Sequence, residues 1–398
     1  MKTYPTKWYS SEMQGAPQHT LRTEKQLITT LKALLVTGFG SLVPDSIVFD
    51  STLSYAKATF GSGHKYLKDS VILVSGASPS NYNGEHKVMK VSTNEVWFEL
   101  NDEPESSASG AMLIKYPALG WSISHENAEG TKAIFTPLGD VGNVSLLVDN
   151  SPFTNYNQSY TWSAKVIMVS DVVDINNYTL EDREYYCYWM SCSDDVNFTN
   201  AWKMVGTDQF FNYMVKGSNQ DRYSLYQAGY FKSFRQGDRY NFMTNGGSYI
   251  TANYSANTSM YRGSDAGNNY NLVARSYSQL LGWCHLRWLS LNSDISSSSY
   301  GCLSPNPVDN GFYIQETPVI IAEGTPLNTS GYLIKYNLRG EVPIYREVLT
   351  NLSAYNGKVI SKNDKDYLCI SCSTSSTNSS DSTAYDRLAA FDITPVEV

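Results

Sequence analysis

Charged side chains are scarce: Asp, Glu, Lys and Arg supply 17 % of the 398 residues, where about a quarter is usual. No block of Lys or Arg stands out, and the net charge is −8 with a pI near 5.2. A nucleic-acid binder needs a local basic stripe to displace counterions from phosphates, so no specific nucleic-acid partner is expected. The five histidines (His19, His64, His86, His125, His285) are scattered, with no two at metal-ligand spacing. HExxH, GxSxG and GxxxxGK[ST] are all missing, which withdraws support from zinc hydrolases, nucleophile-elbow hydrolases and P-loop folds. Six cysteines (Cys187, Cys192, Cys284, Cys302, Cys369, Cys372) are too few for a disulfide scaffold in so long a chain. They read as buried thiols in a reducing compartment.

Long apolar runs are missing too. The most apolar stretch, Leu27 to Phe39, is broken by Thr29, Thr30 and Lys32 and is too short to span a bilayer. The opening MKTYPTKWYSSEMQG has no apolar core of a secretory signal. The expectation is a protein made and kept in the cytosol unless a particle carries it out.

Two weaker signals for chemistry remain. Cys369 and Cys372 form a lone CxxC, but in strand-like text (DYLCISCS) that spacing turns the thiols to opposite faces. Metal and redox pairs need a knuckle or a helix start instead. The acid pairs Glu181-Asp182, Asp194-Asp195 and Glu103 with Glu105 read as solvated loop charges. A glycosidase would need two carboxylates held across a sugar cleft. No catalytic residue, cofactor or metal ligand is therefore assigned, and the chain is not expected to be an enzyme.

What fills the space is Ser, Thr, Asn, Gly and 30 Tyr. Tyr and Thr favour half-buried pleated surfaces, and Asn and Gly supply positive-φ turns. The fold class expected is mainly β: a small β-barrel or sandwich module, a larger β-rich domain, and one short N-terminal amphipathic helix. Residues 1–41 make an extended arm followed by a helix that packs on the large domain. In the arm, Trp8 and Tyr9 are anchors for the body of the same molecule or for a neighbour. Thr23 with Gln26 gives a capping box, and Leu27, Ile28, Leu31, Leu34 and Leu35 draw one apolar stripe ended by Gly38. Residues 42–117 are a small inserted module of six strands, with Asn83-Gly84 suited to a type I′ turn. Residues 118–398 are the large β-rich domain, with long loops expected from about Ser255 to Asn306. The aromatic clusters Tyr185, Tyr186, Tyr188, Trp189 and Phe210, Phe211, Tyr213 read as core filling, with an exposed protein- or sugar-binding face as the alternative.

KWYSSEMQGAPQHT, the helix ending LLVTGFGS and the module text SVILVSGASPSNYNGEHKVMKVSTNEVWFEL resemble the start of a family of tailed-bacteriophage virion structural proteins. LGWSISHENAEGTKAIFTP and LLVDNS resemble its next segment, and SPNPVDNGFYI, LRGEVPIYREVL and FDITP its last third. Arg339-Gly340 and Pro343 are kept, while Tyr, Asn and Ser stand where relatives carry Gly and Ala. The resemblance implies a non-enzymatic component of a virion assembled in the host cytoplasm: collar or neck, tail or baseplate, or capsid surface. It also implies that the helix and residues 118–398 form one body with the module projecting as an insertion. The leading expectation is a homo-oligomer bound to other capsid, neck or tail proteins, with the arm and helix residues Trp8, Tyr9, Leu27, Leu31 and Leu35 as docking residues. Two competing readings are a receptor- or glycan-binding adhesin that meets a host-surface glycan, and a glycan-degrading tail enzyme.

Overall fold

The structure is a computed structural model and describes residues 2–20, 24–139, 142–155, 158–160, 163–181, 187–191, 199–216, 223–247, 269–276, 284–289, 318–323, 337–347, 355–373 and 386–397. The chain is mainly β with a single short helix. The module is one antiparallel sheet of seven strands. In spatial order they are Phe39–Leu42, Leu113–Tyr116, Val71–Ser75, Gly84–Val91, Glu95–Phe98, Tyr55–Thr59 and Ser46–Asp50. Gly84–Val91 serves both halves: its first residues pair with Val71–Ser75 and its last, from Val88 across a register shift between Val88 and Lys90, with Glu95–Phe98. Such an irregularity bends a strand, so the two halves face one core.

All six expected module strands are present. A seventh, Phe39–Leu42, follows the helix directly and pairs with Leu113–Tyr116, so the sheet begins ahead of residue 42. The Asn83-Gly84 turn differs from expectation. Asn83 is extended (φ −80°, ψ 145°) and Gly84 has φ 123°. The Asn83 side chain accepts from Ala77 N–H at 2.9 Å and donates to the Ala77 carbonyl at 2.7 Å, copying a backbone pair across a longer connection.

The helix also departs from its expected ends. Gln26–Leu31 is α-helical and Lys32–Thr37 continues as a wider π turn. Thr23 lies outside the described residues, and the residue at the N-cap is Lys25, with φ 69° and no side-chain cap. The cap comes from far along the chain: Leu27 N–H donates to Asn150 Oδ1 at 3.2 Å. Asn150, fully buried, is itself held by the Ser191 hydroxyl at 3.1 Å. Gly38 has the positive φ expected of it, 72°, but ψ 174°, a glycine conformation outside the left-handed helical region. The stripe lies in a core shared with module and body residues, and the carbonyls of Leu34 and Leu35 receive the N–H groups of Leu119, Gly120 and Trp121.

In the body, Ser122–Glu126, Lys132–Thr136, Val144–Asp149, Ser163–Asp174 and Cys187–Met190 pair in antiparallel succession. A second run goes from Trp202–Gly206 through Phe210–Lys216 and Tyr223–Tyr230 to Phe242–Gly247 and Asn269–Val273. Lys365–Ser373 and Asp386–Asp392 form the closing pair. Within the segment expected to be loop, Cys284–Leu289 is a strand paired with Ile320–Glu323. Arm, helix, module and most of the body contribute to one contiguous hydrophobic core.

Candidate interaction site

The arm lies between module and body and bonds to both. Its strand Lys7–Ser10 pairs antiparallel with Trp202–Gly206, Trp8 opposite Val205 and Tyr9 opposite Met204. The Trp8 indole donates to the Asp69 carbonyl of the module at 2.8 Å, and the Tyr9 hydroxyl to the Pro117 carbonyl, where the chain leaves the module, at 2.7 Å. The Tyr9 ring meets Phe39 edge-on at 5.7 Å. Leu27, Leu31 and Leu35 are fully buried in the shared core. All five residues singled out as docking positions therefore make their contacts inside the chain.

Two glycines let the arm come this close. Gly40 has φ 72°, and a Cβ there would sit 2.1 Å from the Gln14 carbonyl; one on Gly15 would sit 2.8 Å from Gly40 Cα. Further along, the Trp202 indole donates to the Pro17 carbonyl at 2.8 Å. His19, buried, lies 3.0 Å from the Thr30 hydroxyl and 3.2 Å from Tyr213. Burial lowers its pKa to about 3, so it is a neutral hydrogen-bonding group that joins arm, helix and body.

Ion pairs rim the junction. Lys7 meets Glu85 at 3.1 Å, Lys87 meets Asp366 of the body, and Lys2 meets Glu99. Desolvation raises the Glu85 carboxyl against the pull of Lys7. Burial works to raise Asp366 as well, but the Lys87 ammonium and Ser361 hydroxyl outweigh it and hold that carboxyl low. Lys2–Thr3 pairs with Val396–Glu397, so both ends of the described chain meet at this rim. A polar cleft of about 500 Å³ opens there, lined by Thr3, Tyr4, Asn81, Glu85, Asn101 and Asp102 among others.

The residues considered for chemistry are dispersed. Cys369 packs in a small cluster with Tyr367 and Leu388, and Cys372 in the main core, on opposite faces of one strand. Burial pushes both thiols up to about 12, so they are neutral near pH 7. Among the described residues no group of three His, Cys, Asp or Glu is placed to hold a metal. No described helix is long and apolar enough to cross a membrane. Trp189, Phe210, Phe211 and Tyr213 are fully buried, with Trp189, Tyr213 and Tyr226 in a mutual stack at 5.4–6.1 Å. Tyr185 and Tyr186 lie outside the described residues, as do Asp182, Asp194 and Asp195.

Glu181 is not a solvated loop charge. It is fully buried, takes the Arg275 guanidinium in two bonds of 2.7 and 2.9 Å, and accepts the Ser170 hydroxyl at 2.6 Å. A second buried ionic group centres on Arg339, the extra residue of a β-bulge between Asn337–Glu341 and Ile320–Glu323. The bulge turns its guanidinium inward, 2.9 Å from Asp238 and 3.3 Å from Glu323. A Cβ on Gly340 would lie 2.3 Å from the Lys232 carbonyl. Arg and Glu are rarely buried, so sequence patterning pointed away from both groups.

No family model matches the chain, and no curated protein matches it.

Proposed function

We propose that this chain is a structural component of a tailed-phage virion, at a collar or neck, tail or baseplate, or capsid-surface position. It acts by protein–protein assembly, without chemistry of its own, as a homo-oligomer among capsid, neck or tail proteins in a particle assembled in the host cytoplasm. One observation carries the reading: the arm strand joins the body sheet while its side chains close the module, so two β units become a single block. Fastening of this kind resists shear between the two units, which suits a part gripped by neighbours. The sparse charge fits contacts built from shape and hydrogen bonds more than long-range steering. The sequence islands quoted above supply the particle.

The test is antibody labelling of purified particles, with mass spectrometry of their protein content. The reading expects a fixed copy number at one ring of positions; absence of the chain from washed particles would reject it. A second reading, a glycan-binding adhesin at the particle surface, is favoured by the polar cleft beside Tyr4, whose amides and carboxylates suit sugar hydroxyls. It expects saturable binding of the isolated chain to surface polysaccharide, lost on Asn101→Ala with Asp102→Ala.

A further inference from the structure

The body carries a crevice of about 180 Å³, lined by residues of Ser122–Glu126, Lys132–Thr136 and Val144–Asp149. The register shift between Ile123 and His125 falls beside it, and such irregularities re-aim side chains next to sites. His125 lines the crevice, and its Nδ1 is buried with no partner among the described residues. The hydroxyls of Thr136 and Ser145, also in the lining, share one hydrogen bond at 2.9 Å. Whichever of them donates, the other keeps a hydrogen to give. Pro137 and Val172 add apolar surface. Among the described lining residues there is no Asp, Glu, Lys or Arg.

A second row of contacts braces this lining. Asn143, one of the lining residues, donates from its amide to the Tyr240 hydroxyl at 3.3 Å. The Tyr240 ring lies 3.5 Å from the Arg275 guanidinium, which its two bonds to buried Glu181 hold in place. Tyr230, also in the lining, takes the Val144 N–H on its hydroxyl at 2.7 Å and donates to the Val144 carbonyl at 3.0 Å. A buried ion pair adds little net stability while intact. Here it anchors the contacts that orient a lining amide, as the supporting shell of a binding site does.

We propose that the crevice binds one ring of a neutral sugar, with His125, Thr136 and Ser145 meeting its hydroxyls and Pro137 and Val172 its C–H surface. Drug-sized sites take about 300–1,000 Å³, so the smaller volume suits a single ring. Hydroxyls both donate and accept, and so do these walls. With no charged side chain in the lining, a carboxylate or ammonium on the ligand would lose its water without gaining a partner. The inference depends on neither reading above, and the crevice shares no lining residue with the cleft beside Tyr4.

The test is saturation-transfer difference NMR on the purified full chain with glucose, galactose, mannose and N-acetylglucosamine, and with glucuronate as the charged counterpart. At least one neutral sugar is expected to bind with a dissociation constant of about 1–10 mM, the strength so small a ligand reaches. That value should not change between roughly 50 and 500 mM salt. Glucuronate is expected to bind at least about tenfold more weakly. His125→Ala with Ser145→Ala should weaken the neutral sugar at least about tenfold. Tyr240→Phe, which releases the Asn143 amide and keeps the ring, should weaken it about threefold at an unchanged melting temperature; an unchanged affinity there would overturn the bracing role. Circular dichroism verifies folding, and Val172→Trp, which fills the crevice, replaces the double variant should that unfold. No binding by any of the four neutral sugars, equal binding of glucuronate, or binding untouched by the folded crevice variants would each overturn the proposal. Loss on Asn101→Ala with Asp102→Ala alone would also overturn it and move the sugar to the cleft beside Tyr4. Binding at the crevice by a chain absent from washed particles would leave the inference standing and reject the virion reading.

Discussion

In the module, tyrosines carry the buried polar atoms: the Tyr66 hydroxyl lies 2.8 Å from the Gly40 carbonyl and 2.7 Å from that of Ile114. Tyr116 takes the Leu67 N–H at 3.0 Å, and Tyr82 donates to Ser106 at 3.0 Å. The body has such hydroxyls too, on Tyr226 and Tyr230, but adds ion pairs: part-buried Arg275 on fully buried Glu181, and fully buried Arg339 on Asp238 and Glu323. A neutral hydroxyl costs little to desolvate and leaves a modest deficit when removed. A buried ion pair adds little net stability while intact and leaves a costly orphan when broken. Similar β cores therefore differ in fragility: the module should degrade gradually under substitution and the body abruptly.

The largest break in that contrast is Arg339→Ala, which strands two carboxylates in the core. It is expected to cost about 3–5 kcal/mol in urea unfolding, against about 1 kcal/mol for Tyr66→Phe in the module. Gly40→Ala at the junction ranks next. With φ 72° and a backbone oxygen 2.1 Å from the new Cβ, it should cost about 3 kcal/mol through strain and displacement of the arm. The third lever is pH. The unfolded chain takes up a proton on His19 near pH 6.5, which the folded chain refuses until about pH 3. Stability therefore falls as pH drops through that window, by about 2 kcal/mol between pH 7 and pH 5. His19→Gln should flatten the slope by its own share, with His86 and His64, also pushed down by burial, leaving the remainder. Tyr66→Phe, the smallest of the four, sharpens the contrast if its effect is unchanged between pH 5 and 7.

The same contrast governs what could be read from sequence. Alternating text such as SIVFD and KVMKVS announced the module strands because one face of each is buried. Phe39–Leu42 escaped notice because FGSL carries little alternation and emerges straight from a helix. Asn83-Gly84 looked like a tight turn, and the Asn side chain's pairing with Ala77 is a tertiary fact no dipeptide encodes. Cys284–Leu289 sat in polar surroundings that masked its pairing with Ile320–Glu323. Arg339 drew attention only through the resemblance, because its inward turn depends on a bulge and on partners 16 and 101 residues away. The arm showed its aromatic anchors plainly; which surface they would meet was set by Asp69 and Pro117, distant in sequence.

The central physical claim is that the arm makes module and body one cooperative unit, and calorimetry of the full chain beside a form lacking residues 1–20 tests it most directly. The account predicts one unfolding transition for the intact chain and two, separated in temperature, once the arm is gone. Two transitions in the intact chain, or a single unshifted one without the arm, would contradict it.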